Sequence, residues 1–476
     1  MSSLTAAVLS PKARSHLIIV AAFISAALLG QQASARFLIL SVSGLGLLVL
    51  LRRPALGLVA LAALSFTVPI AIGTGTEVAL TPPVFIIPVI AGAWLLEGFH
   101  SRTLRPPRSR AVLPLALFVL SGLISLLAGR AYWDPQVPLP GNFTLVQLGQ
   151  WAIFALSGLI FLLAGALGRR ERLLEAATWT FLALASVVVL EFFVPPLRRV
   201  LGWSAGTMAN RSLFWTWLGA LGAGQLLFNR KASVPVKVWL AVLLAGAAYI
   251  VWFEMSIWTS GWAPYTLAVA GTVLFWLWRR KRILAIVALL LLIVVAVWLA
   301  PAAFSHTGGQ EEMDMTWGGR LRLYQTTLDL IKEHPILGLG PAAYRHYGFA
   351  QWLSMGVGRA LWIRPNVSSH NNYIDIYAQM GLVGLGLFVW FLVEVGWLAV
   401  RSVRRFEGDF EAGYVQGARA GFLATLFAMM LADWFLPFVY NIGFPGFRTS
   451  ALAWMFLGGL VALEQQSEAS TTLANG

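Results

Sequence analysis

Two stretches of the chain hold side chains able to do chemistry together. In "NVSSHNNYIDIYAQMGLVGLGLF" (366–388), His370, Asn371 and Asn372 stand just ahead of an apolar run suited to a membrane. An imidazole with a pKa of about 6.5 can take a proton from a sugar hydroxyl as that oxygen attacks, so His370 is the best-placed general base. In "GGRLRLYQTTLDLIKEHPILGLGPAAYRHYG" (318–348), Arg320, Arg322 and Arg345 keep their charge at every relevant pH. Arginine binds phosphate through paired donors, so several of them near a membrane suit a lipid phosphate or diphosphate. Each feature also has an ordinary reading: a histidine often caps a helix, and common headgroups satisfy arginines equally well.

Other candidates are weaker. His334 precedes Pro335 at a helix end and reads as a partner of the helix dipole, whereas His346, between Arg345 and Tyr347, is a rival base. Glu311, Glu312 and Asp314 lack the spacing of a metal-assisted transferase and read as a solvated loop, so no metal ligand set is assigned. The chain has no cysteine, which excludes thiol catalysis and disulfides. Phosphate-loop, dinucleotide, HExxH and GxSxG patterns are all missing, so no cofactor is expected.

The elements that must position these residues are membrane helices. Of 476 residues 58% are hydrophobic and 11% charged, and "RILAIVALLLLIVVAVWLA" (282–300) is long enough to cross roughly 30 Å of hydrocarbon. The formal charge of +14 sits mainly in short loops between apolar runs, such as Arg102 to Arg110, Arg169 to Arg172, Arg279 to Arg282 and Arg401 to Arg405. Those loops alternate along the chain as cytoplasmic connections do, so the charge marks topology and no nucleic acid partner is expected. Membrane lipids are the expected surroundings.

Hydropathy and loop charge mark about 14 segments, near 16–33, 37–51, 54–73, 80–97, 111–129, 143–167, 173–193, 207–228, 236–253, 262–278, 283–300, 376–399, 414–436 and 447–463. Because the first two are short, about 12 is the other count, and an even number puts both termini in the cytoplasm. The run at 17–30 followed by "ASA" is read as a first membrane helix, although it also resembles a secretory leader. The expected fold is therefore an all-α polytopic membrane protein with one large helical extracytoplasmic loop. Its expected divisions are an N-terminal bundle (1–300), the loop (301–375), C-terminal membrane helices (376–463) and a disordered tail (464–476).

Within the loop, Leu321, Tyr324, Leu328 and Ile331 share one face of a helix that stops at His334-Pro335. Gly338, Gly340 and Pro341 supply turn chemistry after it, and Ser368 or Ser369 is expected to cap the next span, with His370 on its first turn. Outside cations are few, and Arg198, Arg199, Arg211 and Arg448 are among those beyond the loop. Asp433 and Arg419 fall inside expected spans, where charge is costly.

This combination resembles the O-antigen ligase and O-antigen polymerase superfamily of bacterial envelope glycosyltransferases. The resemblance rests on "GGRLRLYQTTLDLIKEHPILGLGPAAYRHY", on "SSHNNYIDIYAQMGLVGLGLF" and on the long loop with few spans after it. It implies a GT-C-like fold in the bacterial inner membrane with the large loop in the periplasm. It also implies a donor glycan on undecaprenyl diphosphate and metal-independent, inverting transfer to an acceptor sugar, with lipid A-core as the preferred acceptor, as in a ligase. The alternative is polymerisation of O-antigen or exopolysaccharide repeat units. By the same resemblance His370 falls on the essential histidine and Arg320 on a diphosphate-binding arginine, with Arg322 beside it; His346, Asn371 and Tyr344 are candidate acceptor or loop contacts. Many relatives have Ser-Arg-Gly where this chain reads "TSGWAPY" (259–265), so Arg211, or Arg198 and Arg199, would supply the second diphosphate ligand. From a different class, a lipid-linked glycan transporter or flippase also suits many spans and external arginines, but it calls for more charge deep within the spans.

Overall fold

In the computed structural model the described residues are 35–76, 78–102, 106–170, 172–256, 258–305, 317–354 and 368–475. Side chains are described for these except at 35–43, 198, 200–205, 295–305, 317–320, 322, 352–354 and 469–475. The leader-like run near 17–30 and the acidic trio at 311–314 lie outside the described residues.

Helices stand at each expected segment from 37 onward. They are α1 (Ala35–Arg52), α2 (Gly57–Thr67), α3 (Pro82–His100), α4 (Val112–Ala131), α5 (Phe143–Leu167), α6 (Leu173–Phe193), α7 (Pro195–Met208), α8 (Ser212–Phe228), α9 (Val234–Tyr249), α10 (Thr259–Arg280) and α11 (Arg282–Ser305). The loop contributes α12 (Trp317–Leu330) and α13 (Tyr344–Ser354), and α14 (Asn372–Ser402), α15 (Phe410–Leu431) and α16 (Gly443–Asn475) follow. A two-residue hairpin, Ile72–Gly73 against Ala79–Leu80, is the sheet among the described residues. The chain is a polytopic all-α membrane protein, with seven described helices long and apolar enough to cross a membrane. Others fall short for local reasons: α8 has 17 residues, and α10 opens on the weakly apolar "TSGWAPYT".

The centre of the bundle is α16, every residue of whose apolar window is buried, packed along α5. The second close seam joins α8 to α15, where Gly413, Gly417 and Gly421 recur every fourth residue and let backbones meet, as small residues do between membrane helices. α16 runs as helix to Asn475, through the segment expected as a disordered tail, and Arg401 to Glu464 and Arg405 to Glu468 ion pairs at 3.4 Å hold that extension to the end of α14.

The loop is fastened to α14 at a break in that helix. Gly381 has φ 63° and ψ −164°, so a short helix (372–380) precedes a straight run of 382–402, about 30 Å at the helical rise. The "PILGLG" turn lies in the break. Leu339 N donates to Ala378 O at 2.9 Å, Gly340 N to Gln379 O at 3.0 Å, Leu382 N to Pro335 O at 2.8 Å and Val383 N to Ile336 O at 3.2 Å. The Ser125 hydroxyl on α4 reaches the carbonyls of Leu337 and Gln379 at 2.5 and 2.6 Å, and Tyr132 OH donates to Gly338 O at 2.7 Å. A Cβ on Gly381 would stand 2.2 Å from Ile336 O, so no other residue fits this contact.

Gly381→Ala should therefore cost about 3 kcal/mol or more, combining a left-handed backbone with a backbone clash. Gly386→Ala, helical and open on all sides, should be neutral or slightly stabilising. Unfolding of the detergent-solubilised protein measures both; equal loss from the two would refute the clamp.

Candidate active site

His370 lies two residues ahead of α14, just before its cap, at the end of the bundle where the loop docks. The helix cap is Asn371, whose side chain accepts from Tyr373 N at 3.0 Å and Ile374 N at 3.4 Å. This corrects the expectation of a serine cap and of His370 on the first turn. The serines are occupied elsewhere: Ser369 Oγ donates to Asp375 Oδ1 at 2.7 Å, and Ser368 Oγ donates to Asp433 Oδ1 at 3.1 Å. His370 itself is half-buried, with φ 51°, a left-handed conformation that costs a non-glycine residue roughly 1–2 kcal/mol. Pinned neighbours on both sides hold it there.

Asp433 anchors the second wall. The residue is fully buried, and it lies in the turn after α15 ends at Leu431 rather than inside a span. Its Oδ2 accepts from Phe438 N at 2.7 Å, and its Oδ1 accepts from Asn441 Nδ2 at 2.6 Å. Asn441 Nδ2 is also 3.1 Å from Ser368 Oγ and 3.5 Å from His370 Nδ1, so the aspartate, the amide and the imidazole form one line. His370 N donates to Ser368 Oγ at 3.1 Å, which ties the histidine backbone to the same network.

The loop 432–442 is irregular backbone inside an apolar bundle, and side chains satisfy it. Asn372 accepts from Phe435 N at 2.9 Å and donates to Leu436 O at 2.7 Å; Gln150 on α5 accepts from Val439 N at 2.7 Å and donates to Pro437 O at 3.2 Å. Ser450 and Trp454 on α16 donate to Phe435 O at 2.6 and 3.0 Å.

Tyr344, at the start of α13, is buried and donates to Asp375 Oδ1 at 2.6 Å, while its ring stacks on Phe438 at 4.8 Å. Burial, reinforced by the Asp375 and Asp433 carboxylates, pushes its phenol well above the usual value, so it remains a donor throughout the physiological range. It is a contact within the loop. His346 Nε2 lies 3.1 Å from Tyr440 OH, and the Arg345 guanidinium lies 3.9 Å over the Tyr440 ring, one residue from Asn441.

Among the expected phosphate ligands, Arg211 is the N-terminal flanking residue of α8 and lies within electrostatic reach of Asp433. Burial lowers its pKa and Asp433 opposes that, leaving a cation whose Nε has no hydrogen-bond partner among the described residues. Arg199 is exposed on α7, and the side chain of Arg198 lies outside the described residues. Arg320 and Arg322 are in the first turns of α12, also with side chains outside the described residues. The same helix meets α15 through Tyr324 OH, which donates to Met430 O at 3.1 Å, three residues before Asp433. Two other arginines expected outside are structural. Arg448 donates to the carbonyls of Ser65 in the last turn of α2 and of Val68 and Ile70 beyond it, and Arg130 to Gln147 and Thr144.

Sequence reasoning missed Asn441, Tyr440 and the pairing of Asp375 with Tyr344. A polar residue in the Pro- and Gly-bearing "FLPFVYNIGFPG" (435–446), shortly after Asp433, was the available signal for Asn441.

Against known proteins, residues 237–389 match the family model described as O-antigen ligase, a range that runs from α9 past His370 to Gly381 and beyond. About a third of the chain is thus similar to the O-antigen ligase family. It is also 26% identical over 196 residues to the exopolysaccharide production protein ExoQ of Rhizobium meliloti (strain 1021), covering 39% of this chain and 42% of that protein. The match thus spans about two fifths of that relative's length. The matched segment contains His370 and Arg320 but stops before Asp433 and Asn441, which complete the wall around the histidine.

Replacing the strained histidine separates fold from chemistry. His370→Gly should be about 1 kcal/mol more stable than His370→Ala, because glycine adopts φ 51° without penalty. Equal unfolding midpoints for the two variants would mean the strain is relaxed in solution.

Proposed function

We propose that the chain is a metal-independent, inverting glycosyltransferase acting on a glycan carried by undecaprenyl diphosphate. The observation that carries this reading is His370, strained and half-buried, set at the bundle end beside Asn441 and Asp433 within an O-antigen ligase domain. A lipid-linked donor reaches such a place with its tail in hydrocarbon and its sugar in water. The acceptor hydroxyl attacks the anomeric carbon from the side opposite the diphosphate, the carbon–oxygen bond to the diphosphate breaks, and configuration inverts. The hydroxyl proton passes to the unprotonated ring nitrogen of His370 and then to solvent. Charge building on the departing diphosphate calls for cations, and Arg320, Arg211 and Arg322 are the residues proposed to meet it, with Arg198 and Arg199 further out. The loop then faces the periplasm, with the basic connections and both termini in the cytoplasm, as the charge pattern favours.

The preferred acceptor is lipid A-core, which makes the chain an O-antigen ligase. The exopolysaccharide relative supports a second reading, polymerisation of repeat units. A deletion strain separates them: loss of long chains from lipid A with accumulated lipid-linked polymer means ligase, whereas accumulated single repeat units mean polymerase. Movement of lipid-linked glycan in liposomes without a new glycosidic bond would instead mean a flippase.

His370→Ala should lower transfer by about 10²–10⁴-fold and Arg320→Ala by about 10²–10³-fold, with both proteins folded and membrane-inserted. Transfer at the wild-type rate by His370→Ala would remove the histidine from the chemistry.

A further inference from the structure

A second site lies at the other end of α14, roughly 35 Å along the helix from His370 at the helical rise. There α14 and α15 enclose a groove of about 310 Å³, about ten times the volume of a water molecule in the liquid. Its walls include Val393, Trp397, Val400 and Leu423, and Arg419 is its one charged lining residue. Gly396 opens the floor, since a Cβ there would stand 3.4 Å from the Phe422 ring. Trp397 is 59% exposed and Leu423 45%, so the groove faces outward from the bundle into the surrounding membrane.

Arg419 stands ten residues into α15, about 15 Å from the start of that helix. Its guanidinium lies 3.9 Å over the Phe275 ring and, among the described residues, has no acidic or carbonyl partner. The nearby charge is of the same sign: Arg279 repels it while donating to Val403 O at 2.8 Å. A ring face attracts a guanidinium without neutralising it, and two cations converging beside hydrocarbon remain costly until an anion joins them.

An anion with a long apolar tail meets both demands of this site. We propose that the groove between α14 and α15 binds an anionic glycerophospholipid, one acyl chain lying against Gly396, Trp397 and Leu423 and the headgroup phosphate held by Arg419 and Arg279. A zwitterionic lipid offers the same phosphate but brings its own cation, which Arg279 disfavours. An apolar helix of a second copy would cover the walls yet leave Arg419 buried without a counter-charge.

Native mass spectrometry of the full chain, released from mixed micelles of phosphatidylglycerol and phosphatidylcholine, tests this. The wild-type protein should retain phosphatidylglycerol about tenfold over phosphatidylcholine, the factor of one charge-assisted contact. Arg419→Lys should keep most of that preference, Arg419→Gln should bring it to about one, and Gly396→Leu should reduce retention of both lipids by filling the groove. Equal retention of phosphatidylglycerol by wild type and Arg419→Gln overturns the proposal, as does equal retention of the two lipids by wild type. A dimer that Gly396→Leu breaks overturns it in favour of self-association.

Discussion

A membrane bundle offers no water to its interior, so any backbone that leaves the helical pattern must find its hydrogen bonds in the protein. Among the described residues, 335–343 and 432–442 break the pattern at the end where His370 stands. The first is satisfied by other backbone: the "PILGLG" turn pairs with 378–383 across the Gly381 break, with Ser125 and Tyr132 closing the remaining carbonyls. The second is satisfied by side chains, chiefly Asn372, Gln150, Asp433 and Ser450. Solving that accounting problem builds the walls of the candidate site.

The motif "SSHNNY" divides its labour along these lines. Ser368 reaches Asp433 and Ser369 reaches Asp375, so the two serines tie the chain to two buried carboxylates. Asn371 caps the helix, and Asn372 turns inward to hold the backbone at 435–436. His370 is left with its side chain at the surface of this network and its backbone in a conformation few residues adopt. Four of these five side chains are structural, and their joint effect is to fix the position of the fifth. A base held in one place has less orientational entropy to lose when substrate arrives.

Much of the fold was legible because membrane helices announce themselves through length and hydropathy. Helix α5 coincides with the segment read at 143–167 and α6 with that at 173–193, since loop charge and turn residues bound both. The break in α14 was not legible: "AQMGLVGLGLF" reads as continuous apolar helix, and nothing local separates Gly381 from Gly384 or Gly386. Only the incoming turn from 335–340 makes one of those glycines indispensable, and that contact is remote in sequence. The cap was misread for a related reason, because Ser, Thr, Asp and Asn are near-equal caps and the choice fell to the one not engaged by a buried aspartate. His370 was visible by residue type and motif. Its link to Asn441 was not, since 71 residues separate the two.

Placement of Asp433 explains why a carboxylate survives within an apolar bundle. An isolated buried charge is expensive, and this one accepts from a backbone amide, a serine hydroxyl and an asparagine amide while Arg211 stands within electrostatic reach. Removing any one donor leaves the others to carry an undercompensated charge, so the network is cooperative. The same cooperativity links the halves of the site. Ser368 belongs to the segment that precedes α14, Asn441 to the loop after α15, and Asp433 requires both. Any displacement of the histidine segment would therefore cost the buried aspartate a donor, so the polar core opposes motion of the residue at its edge.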